Sequence, residues 1–216
     1  MVYYALETLA QSGITEILVI STLEHQSLFQ CALGDGSIFN VNLTYACQDK
    51  PEGIAQAIMI GQDFVEDDDL CLITGDTIIV GNSLQKSLIK AYKAAEKSGN
   101  ATIFVDKDYD PNQYGRVVFG EKGRLTDIAG KTSQQNYYSI TGLYVFPNSV
   151  LKHIFSIKKS ERERYEITSV SKVFHNIRKL QIQKLPFDCK WLSTNTFDEI
   201  MKSCNYIQKN YHEQDR

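Results

Sequence analysis

The sequence has no glycine-rich phosphate-binding loop, since neither GxGxxG nor GxxxxGK occurs in its 216 residues. Such a loop usually follows the first strand of a doubly wound domain and leads into a helix. Here the first residues have helical spacing, and the neighbouring glycines Gly34 and Gly36 follow no buried strand. This sequence therefore offers no backbone cradle of the usual kind for a nucleotide phosphate.

Long apolar runs and strong basic charge are also missing. No run reaches the ~18 apolar residues of a membrane-spanning helix, and residues 1–10 lack the basic segment and cleavage site of a secretory signal. The formal net charge is −3 and the pI about 5.8, which predicts no strongly basic face for nucleic acid. These absences predict a soluble, cytoplasmic protein that binds neither membranes nor nucleic acid.

Cysteine and histidine form no metal-binding pattern. The five cysteines are odd in number and show no CxxC spacing, which favours free thiols in a reducing compartment. The four histidines are scattered, and none lies at metal-ligand spacing from a cysteine or a carboxylate. Neither a disulfide framework nor a zinc site is expected.

Strand and helix patterns alternate along the first half of the chain. Apolar runs predict strands at 16–20, 41–46, 70–74 and 101–105. Helical spacing predicts helices at 1–11, 26–33, 53–64 and 83–98. Ser83 is the predicted N-cap of the last helix, and Ile54, Ala57, Ile58 and Gly61 are expected to pack inward. The alternation predicts a doubly wound, mostly parallel α/β sheet.

The second half contains more short β patterns, separated by glycine or polar turns. Strands are predicted at 116–119, 125–129, 137–146 and 180–185, and helices at 147–155, 168–177 and 196–211. The charged run Lys158–Arg164 is interpreted as a solvated turn or helix end. Residues 1–216 are thus expected to form one α/β domain with a small antiparallel β lobe.

Asp76 is the first candidate for function, because it follows the apolar run LCLITG. Ligands of open α/β sheets bind beyond the carboxyl ends of the strands. A carboxylate at that position can hold a Mg²⁺ ion that bridges phosphates. The alternative is a structural aspartate in an Asx turn.

The second candidate is the stretch QDKPEGIAQA, which begins at Gln48. The Gln48 amide offers a donor and an acceptor, which suit the imide edge of thymine or uracil. Gly53 leaves space for a base or phosphate at a helix N-terminus. The alternative is an ordinary connection between a strand and a helix.

In order along the chain, these motifs resemble those of the sugar nucleotidyltransferases, and most closely the glucose-1-phosphate thymidylyltransferases. After the opening MVYYALETLAQSGITEILVIST, the resemblance is carried by QDKPEGIAQA, ITGDT, DPNQYGRVVF, KGRL, ITGLYVF, YEITSV and WLSTNT. It implies a Rossmann-like fold, and the transfer of a nucleotide from dTTP to glucose 1-phosphate, which gives dTDP-glucose and pyrophosphate with Mg²⁺ as cofactor.

The resemblance also implies a set of site residues. Gln48 and Gly53 would bind the base, and Asp76 would bind the metal. Lys131 would pair with the sugar phosphate. The remaining sugar pocket would be formed by Tyr114, Gly115, Ile140 and Tyr144. No catalytic residue is assigned, because the arginine and lysine of the family's phosphate loop have no counterpart in this sequence.

Three features depart from the family pattern. The family's first strand and GGxGTRL-type loop are absent from this sequence. The family's IEEKP is replaced by Ile128–Thr132, in which Gly130 stands at the position of a sugar-binding glutamate. In WLSTNT, Ser193 replaces the second metal-binding aspartate, and a neutral hydroxyl is a poor Mg²⁺ ligand. Each lost contact to a developing phosphate charge costs about 3 kcal/mol of transition-state stabilisation.

Three interpretations follow from these departures. The favoured one is a degenerate relative, truncated at its N-terminus and short at its C-terminus, that binds a nucleotide or nucleotide-sugar with reduced or no turnover. The second is an active enzyme whose true start lies upstream of Met1. The third is a non-catalytic partner or regulatory subunit that pairs with a full-length homologue. A homo-oligomer is the other assembly that the sequence leaves open. Without the central first strand, unpaired strand edges or a gap are expected in the sheet.

Overall fold

The computed structural model describes residues 1–107, 114–120, 125–129 and 137–211. The eight helices of these residues are α1 (Val2–Gln11), α2 (Leu23–Leu33), α3 (Ile54–Ile60), α4 (Gln62–Val65), α5 (Leu84–Ser98), α6 (Val150–Ile154), α7 (Ile167–Asn176) and α8 (Phe197–Tyr211). The ten strands are β1 (Glu16–Ser21), β2 (Asn42–Cys47), β3 (Leu70–Ile73), β4 (Ile78–Val80), β5 (Ala101–Asp106), β6 (Arg116–Phe119), β7 (Leu125–Ala129), β8 (Tyr137–Phe146), β9 (Leu180–Lys184) and β10 (Lys190–Leu192).

Six strands form the main sheet, in which β8 is the longest and central strand. The order is β7-β6-β8-β5-β9, and β3 pairs with the second half of β8. Strands β3, β5 and β6 are all antiparallel to β8, whereas β5 and β9 are parallel to each other. The sheet is therefore mixed. Strand β8 lies between β3 and β5 and pairs antiparallel with both of them.

Helices cover both faces of this sheet, as the predicted doubly wound α/β class requires. On one face, α3, α6 and α7 pack against the sheet through Ala55, Ile58, Val150, Ile154, Val170 and Phe174. On the other face, α5 contributes Leu84, Leu88, Ala91 and Ala95. Burial of each large apolar side chain stabilises the fold by about 1.5–3 kcal/mol, so these two layers fix the sheet around the site.

Two smaller sheets complete the architecture. Strands β1 and β2 form a parallel pair, against which α1 packs Leu6 and Leu9. Strands β4 and β10 form a small antiparallel pair of three residues each, whereas the strands predicted for the antiparallel lobe, β6, β7 and β8, pair antiparallel within the main sheet. Neither β4 nor β10 was expected from the sequence, because each is too short for an apolar pattern to reveal.

Strands β1 and β3 each have one edge without a strand partner in the described chain. Strand β1 pairs only with β2, and β3 pairs only with β8. Both strands are apolar yet no residue of β3 is fully buried, in contrast to β5, where five of six residues are. Within the described chain, β1 and β3 thus each leave one edge open.

Two local expectations about helices were wrong. The helix predicted at 53–64 is divided at Gly61 into α3 and α4, and Ile54 is 39% exposed while Ala55 and Ile58 are buried. The Ser83 side chain makes no capping hydrogen bond to α5. Instead, the Ser83 backbone N–H donates to Asp188 Oδ2 at 3.0 Å, so a distant aspartate satisfies this helix end.

All five cysteines are free. Within the described ranges, no helix is long and apolar enough to cross a membrane.

Candidate functional site

A cavity of about 420 Å³ lies where the chain turns after β3, which is a carboxyl strand end. Such a position is where open α/β sheets bind ligands. Its wall is formed by the turn before β4, the segment before β6, the middle of β8, residues 162–168 and the turn after β10. Six residues singled out in the sequence meet here: Asp76, Tyr114, Gly115, Ile140, Tyr144 and Ser193.

Gly142 shapes the wall of this cavity by bringing β8 close to the turn after β3. Its φ is +87°, and a Cβ at this position would lie 2.5 Å from Thr77 Oγ1 and 2.6 Å from Thr74 Oγ1. These two hydroxyls are hydrogen-bonded to each other at 2.7 Å, and Thr77 Oγ1 donates to the Thr141 carbonyl at 2.9 Å. Only glycine allows this approach, so the ITG of ITGLYVF fixes the wall.

Tyr114 and Ser193 connect two sides of the cavity. Their hydroxyls lie 2.5 Å apart, and the Tyr114 ring packs edge-on against Trp191 with centroids 4.5 Å apart. Ser193 Oγ donates to Glu199 Oε2 at 2.7 Å. Burial raises the pKa of the Tyr114 phenol, and the hydrogen bond to Ser193 opposes that rise. The phenol therefore stays protonated, and because the Ser193 hydroxyl donates to Glu199, the Tyr114 hydroxyl donates to Ser193 Oγ.

Glu199 is a site residue that sequence reasoning missed. It accepts a hydrogen bond from the Thr196 backbone N–H at 3.1 Å, and its own N–H donates to Thr196 Oγ1 at 3.2 Å. This reciprocal pattern is a capping box at the start of α8. The signal was present as Thr196 followed three residues later by Glu199, and its result is a carboxylate directly behind Ser193.

Tyr144 and Asp76 place a neutral and a charged group in the same cavity. Tyr144 is buried, and burial together with the negative charge of Asp76 raises the pKa of its phenol. Asp76 is exposed, and its backbone carbonyl accepts a hydrogen bond from Thr194 Oγ1 at 3.3 Å. That bond holds the backbone of the turn and does not fix the direction of the Asp76 carboxylate.

Arg162 and Arg164 supply positive charge at the mouth of the cavity, which the sequence interpretation of Lys158–Arg164 as a plain solvated turn did not anticipate. Both are exposed and line the cavity. Arg162 pairs with Glu166 at 3.2 Å, whereas no carboxylate in the described ranges pairs with Arg164. A guanidinium without a partner carboxylate suits a phosphate oxygen.

Gln48 and Gly53 lie together beside the cavity, next to its lining residue Ile54. Gln48 Nε2 donates to the Gly53 carbonyl at 3.2 Å and to Gln56 Oε1. The Gln48 amide nitrogen is thus occupied, which leaves its oxygen to accept from a ligand N–H. Gly53 has a φ of +113°, and the backbone of Tyr165 fills the space where its Cβ would be. That space therefore serves chain packing.

Lys131, the predicted partner of the sugar phosphate, lies outside the described residues, as does Gly130.

Two carboxylates line the cavity, Asp76 and Glu166, and Glu166 is paired with Arg162. The described residues contain no cluster of three potential metal ligands from histidine, cysteine, aspartate or glutamate. Asp76 can supply one oxygen ligand. Ser193 is neutral and already bonded to Tyr114 and Glu199. Mg²⁺ commonly binds through one or two carboxylates and the phosphates of the substrate, so these residues fit an ion held chiefly by a bound nucleotide.

Comparisons with known proteins extend along almost the whole chain. The nucleotidyl transferase family model matches residues 1–210. The chain is 38% identical over 209 residues to the glucose-1-phosphate thymidylyltransferase of Mycolicibacterium smegmatis, with 96% of this chain and 71% of that protein covered. Its counterpart in Xanthomonas campestris is 37% identical, with 96% and 70% covered.

A solved structure shows the same fold. It is a protein of Bacillus anthracis described as a glucose-1-phosphate thymidylyltransferase in complex with sucrose. It superposes with a TM-score of 0.85 at 27% sequence identity, and covers 97% of this chain and 82% of its own.

Proposed function

The chain belongs to the nucleotidyl transferase family, and on this premise we propose that it binds a thymidine nucleotide and glucose 1-phosphate or their product, with reduced or no turnover. The corresponding reaction joins dTTP and glucose 1-phosphate to give dTDP-glucose and pyrophosphate. The sugar phosphate oxygen attacks the α-phosphorus in line with the departing pyrophosphate, so positioning and charge neutralisation supply the catalysis.

One observation carries the proposal. The residues Tyr114, Ile140 and Tyr144, which the family resemblance assigns to the sugar pocket, line a single cavity although they come from separate segments of the chain. Tyr114, Ile140 and Tyr144 come from β8 and from the segment before β6. The protonated phenol of Tyr144 provides a hydrogen-bond donor, and the rings of Tyr114 and Tyr144 provide faces suited to a sugar. The volume of about 420 Å³ is within the range of small-molecule sites.

The phosphates would lie toward the mouth of the cavity. Arg162 and Arg164 would bind phosphate oxygens there, since phosphate is recognised well by guanidinium groups. Asp76 would hold Mg²⁺, which when bound neutralises phosphate charge. Beside the cavity, the Gln48 oxygen would accept the imide N–H of the base.

Reduced turnover is expected from the chemistry of Ser193. A second carboxylate at that position would add charge to the metal site, whereas Ser193 donates its proton to Glu199 and contacts Tyr114. Loss of one such charge contact, at about 3 kcal/mol, lowers a rate by about two orders of magnitude.

Calorimetry on the 216-residue chain tests the proposal. dTTP and dTDP-glucose are titrated with and without Mg²⁺, and pyrophosphate release is measured with dTTP and glucose 1-phosphate. We expect binding of dTDP-glucose and little or no pyrophosphate. Turnover at the rate of an ordinary enzyme would overturn the reduced-activity part, and absence of binding by both nucleotides would overturn the proposal.

The open edges of β1 and β3 favour a second candidate, a non-catalytic partner of a full-length homologue. Unpaired strand edges are templates for pairing with another chain. Co-expression with the Mycolicibacterium smegmatis relative tests this role, and co-elution on size exclusion is expected. If the chain elutes alone and monodisperse, the candidate fails.

A further inference from the structure

A second cavity, of about 550 Å³, lies at the opposite end of β8 from its junction with β3. It is formed where β5, β6 and β9 end and β8 begins, and it shares no lining residue with the candidate active site. Lys107, Phe119, Tyr138 and Lys184 line it. Its size is within the range of small-molecule sites, and the proposed transferase reaction gives it no role.

Two lysine ammonium groups approach the same phenol ring in this cavity. Lys184 Nζ lies 4.4 Å from the centre of the Tyr138 ring, and Lys107 Nζ lies 5.3 Å from it. Neither lysine forms an ion pair within the described ranges. The hydrogen bond from Lys184 to Tyr138 lowers the pKa of that phenol, and the charge of Lys107 acts in the same direction. Two like charges with no counterion among the described residues form a local excess of positive potential that an anion would neutralise.

An aromatic surface lies directly beside these two charges. Phe119 and Tyr138 pack edge to face, with centroids 5.5 Å apart and planes at 88°, and Lys184 Nζ is 5.7 Å from the Phe119 ring. Both rings are partly exposed, and Ile182 extends the apolar surface. A ligand that fits both features has an anionic group joined to a flat or ring-shaped organic group.

We propose that this second cavity binds a phosphate monoester, with the phosphate between Lys107 and Lys184 and the organic ring against Phe119 and Tyr138. Ammonium groups form charge-assisted hydrogen bonds with phosphate oxygens. Rings of bases and of sugars both pack on aromatic side chains, so the shared chemistry is the phosphate and its attached ring. The inference goes beyond the proposed transferase function and does not depend on it.

The test is calorimetric titration with phenyl phosphate, inorganic phosphate, dTMP and glucose 1-phosphate. Phenyl phosphate is expected to bind at least tenfold more weakly to the double variant Lys107→Gln/Lys184→Gln than to the unmodified chain. Lys190→Gln is the matched control, since Lys190 Nζ also lies over a tyrosine, 4.8 Å from the centre of the Tyr206 ring. The Lys190→Gln variant should bind phenyl phosphate as tightly as the unmodified chain does. Because dTMP and glucose 1-phosphate also suit the candidate active site, only the affinity that the double variant loses is assigned to the second cavity. A larger loss for dTMP assigns a base ring and a larger loss for glucose 1-phosphate assigns a sugar ring, and either result supports the proposal.

Trp191 fluorescence distinguishes binding at the two cavities, because Trp191 is the only tryptophan and lines the candidate active site. Phenyl phosphate should bind without changing the fluorescence of Trp191. Equal binding by the unmodified chain and the double variant would overturn the proposal, as would an equal loss in the Lys190→Gln control. Inorganic phosphate that binds as tightly as phenyl phosphate would overturn the aromatic part. Circular dichroism confirms that each variant is folded, so that a lost affinity reports on the cavity.

Discussion

The hydroxyls of Tyr114 and Ser193 lie 2.5 Å apart and join two segments that are 79 residues apart in the chain. Behind Ser193, Glu199 accepts its hydroxyl proton, and Ser203 Oγ donates to the Ser193 carbonyl at 2.8 Å. The side chain that replaces an expected metal ligand is therefore held on both its hydroxyl and its carbonyl. This position has become part of a hydrogen-bonded connection between α8 and the cavity.

Ser193→Ala should lower the free energy of unfolding by about 1–2 kcal/mol, because it removes hydrogen bonds to Tyr114 and Glu199 at a buried position. Urea denaturation measures the change. Tyr114→Phe removes the partner hydroxyl while keeping the ring on Trp191. The double variant should then lose less than the sum of the single variants. Strict additivity would show that the two hydroxyls contribute independently.

Gly142→Ala should be more destabilising than Gly13→Ala, by about 2 kcal/mol. Both glycines have similar positive φ values, +87° and +83°, so the backbone strain is matched. A Cβ at Gly142 meets Thr74 and Thr77, whereas nothing lies within 4 Å of a Cβ at Gly13. Overpacking of this kind costs about 1–3 kcal/mol. Equal melting temperatures for the two variants would contradict the close approach.

Arg164→Gln should weaken glucose 1-phosphate binding about tenfold, which corresponds to ~1.4 kcal/mol. The reason is the loss of a guanidinium that lines the cavity and pairs with no described carboxylate. Arg178→Gln removes an exposed arginine that does not line the cavity and serves as control. Calorimetry measures both. An equal loss in the two variants would indicate a general effect of net charge.

Arg116→Met should raise the free energy of unfolding by about 1–2 kcal/mol. The Arg116 side chain is fully buried, and none of its three nitrogens has a hydrogen-bond partner among the residues that the structure describes. Its guanidinium lies 4.9 Å from the centre of the Tyr137 ring. A buried charge without hydrogen bonds is costly, and methionine keeps the volume without the charge. A less stable Arg116→Met variant would show that stacking on Tyr137 outweighs the lost hydration.

Stability should fall as the pH rises above 10, through a contribution from Tyr92. Burial, followed by nearby negative groups, raises the pKa of its phenol to about 12 from a usual 10, and the phenol donates to the Asp69 carbonyl at 2.6 Å. Because the folded-state pKa is the higher one, this contribution is complete below pH 10 and is lost as the pH approaches 12.

Tyr92→Phe tests this contribution. The variant should be less stable at pH 8 and should lose less stability between pH 10 and pH 12. Denaturation midpoints across this range provide the measurement, and parallel pH curves for the two proteins would contradict the assignment.

The elements that the sequence predicts are those whose apolar pattern extends over enough residues within one continuous segment of the chain. The runs at β1, β3 and β5 and the spacing of α1 and α5 determine these elements within a few residues. In contrast, β4 and β10 exist because Ile78–Val80 and Lys190–Leu192 meet across more than a hundred residues. No local pattern reports such a pairing.

The site was predictable where a motif carried it and not where tertiary packing did. Asp76 and Tyr114 were assigned from short motifs, and the cavity brings them together. Arg164 lines the cavity because the chain folds so that residues 162–168 and Tyr114 meet at the same cavity. The pattern of charges in the sequence cannot show this arrangement. Gly53 illustrates the converse, since the space beside it belongs to the Tyr165 backbone rather than to a ligand.

The open edges of β1 and β3 also determine how this protein must be handled. Both edges are flanked by half-exposed apolar side chains, and such edges recruit further chains as concentration rises. Dilute refolding and low-temperature storage therefore suit this chain better than concentration to crystallisation levels. A single inward-facing lysine in β1 would be the simplest way to keep it dispersed.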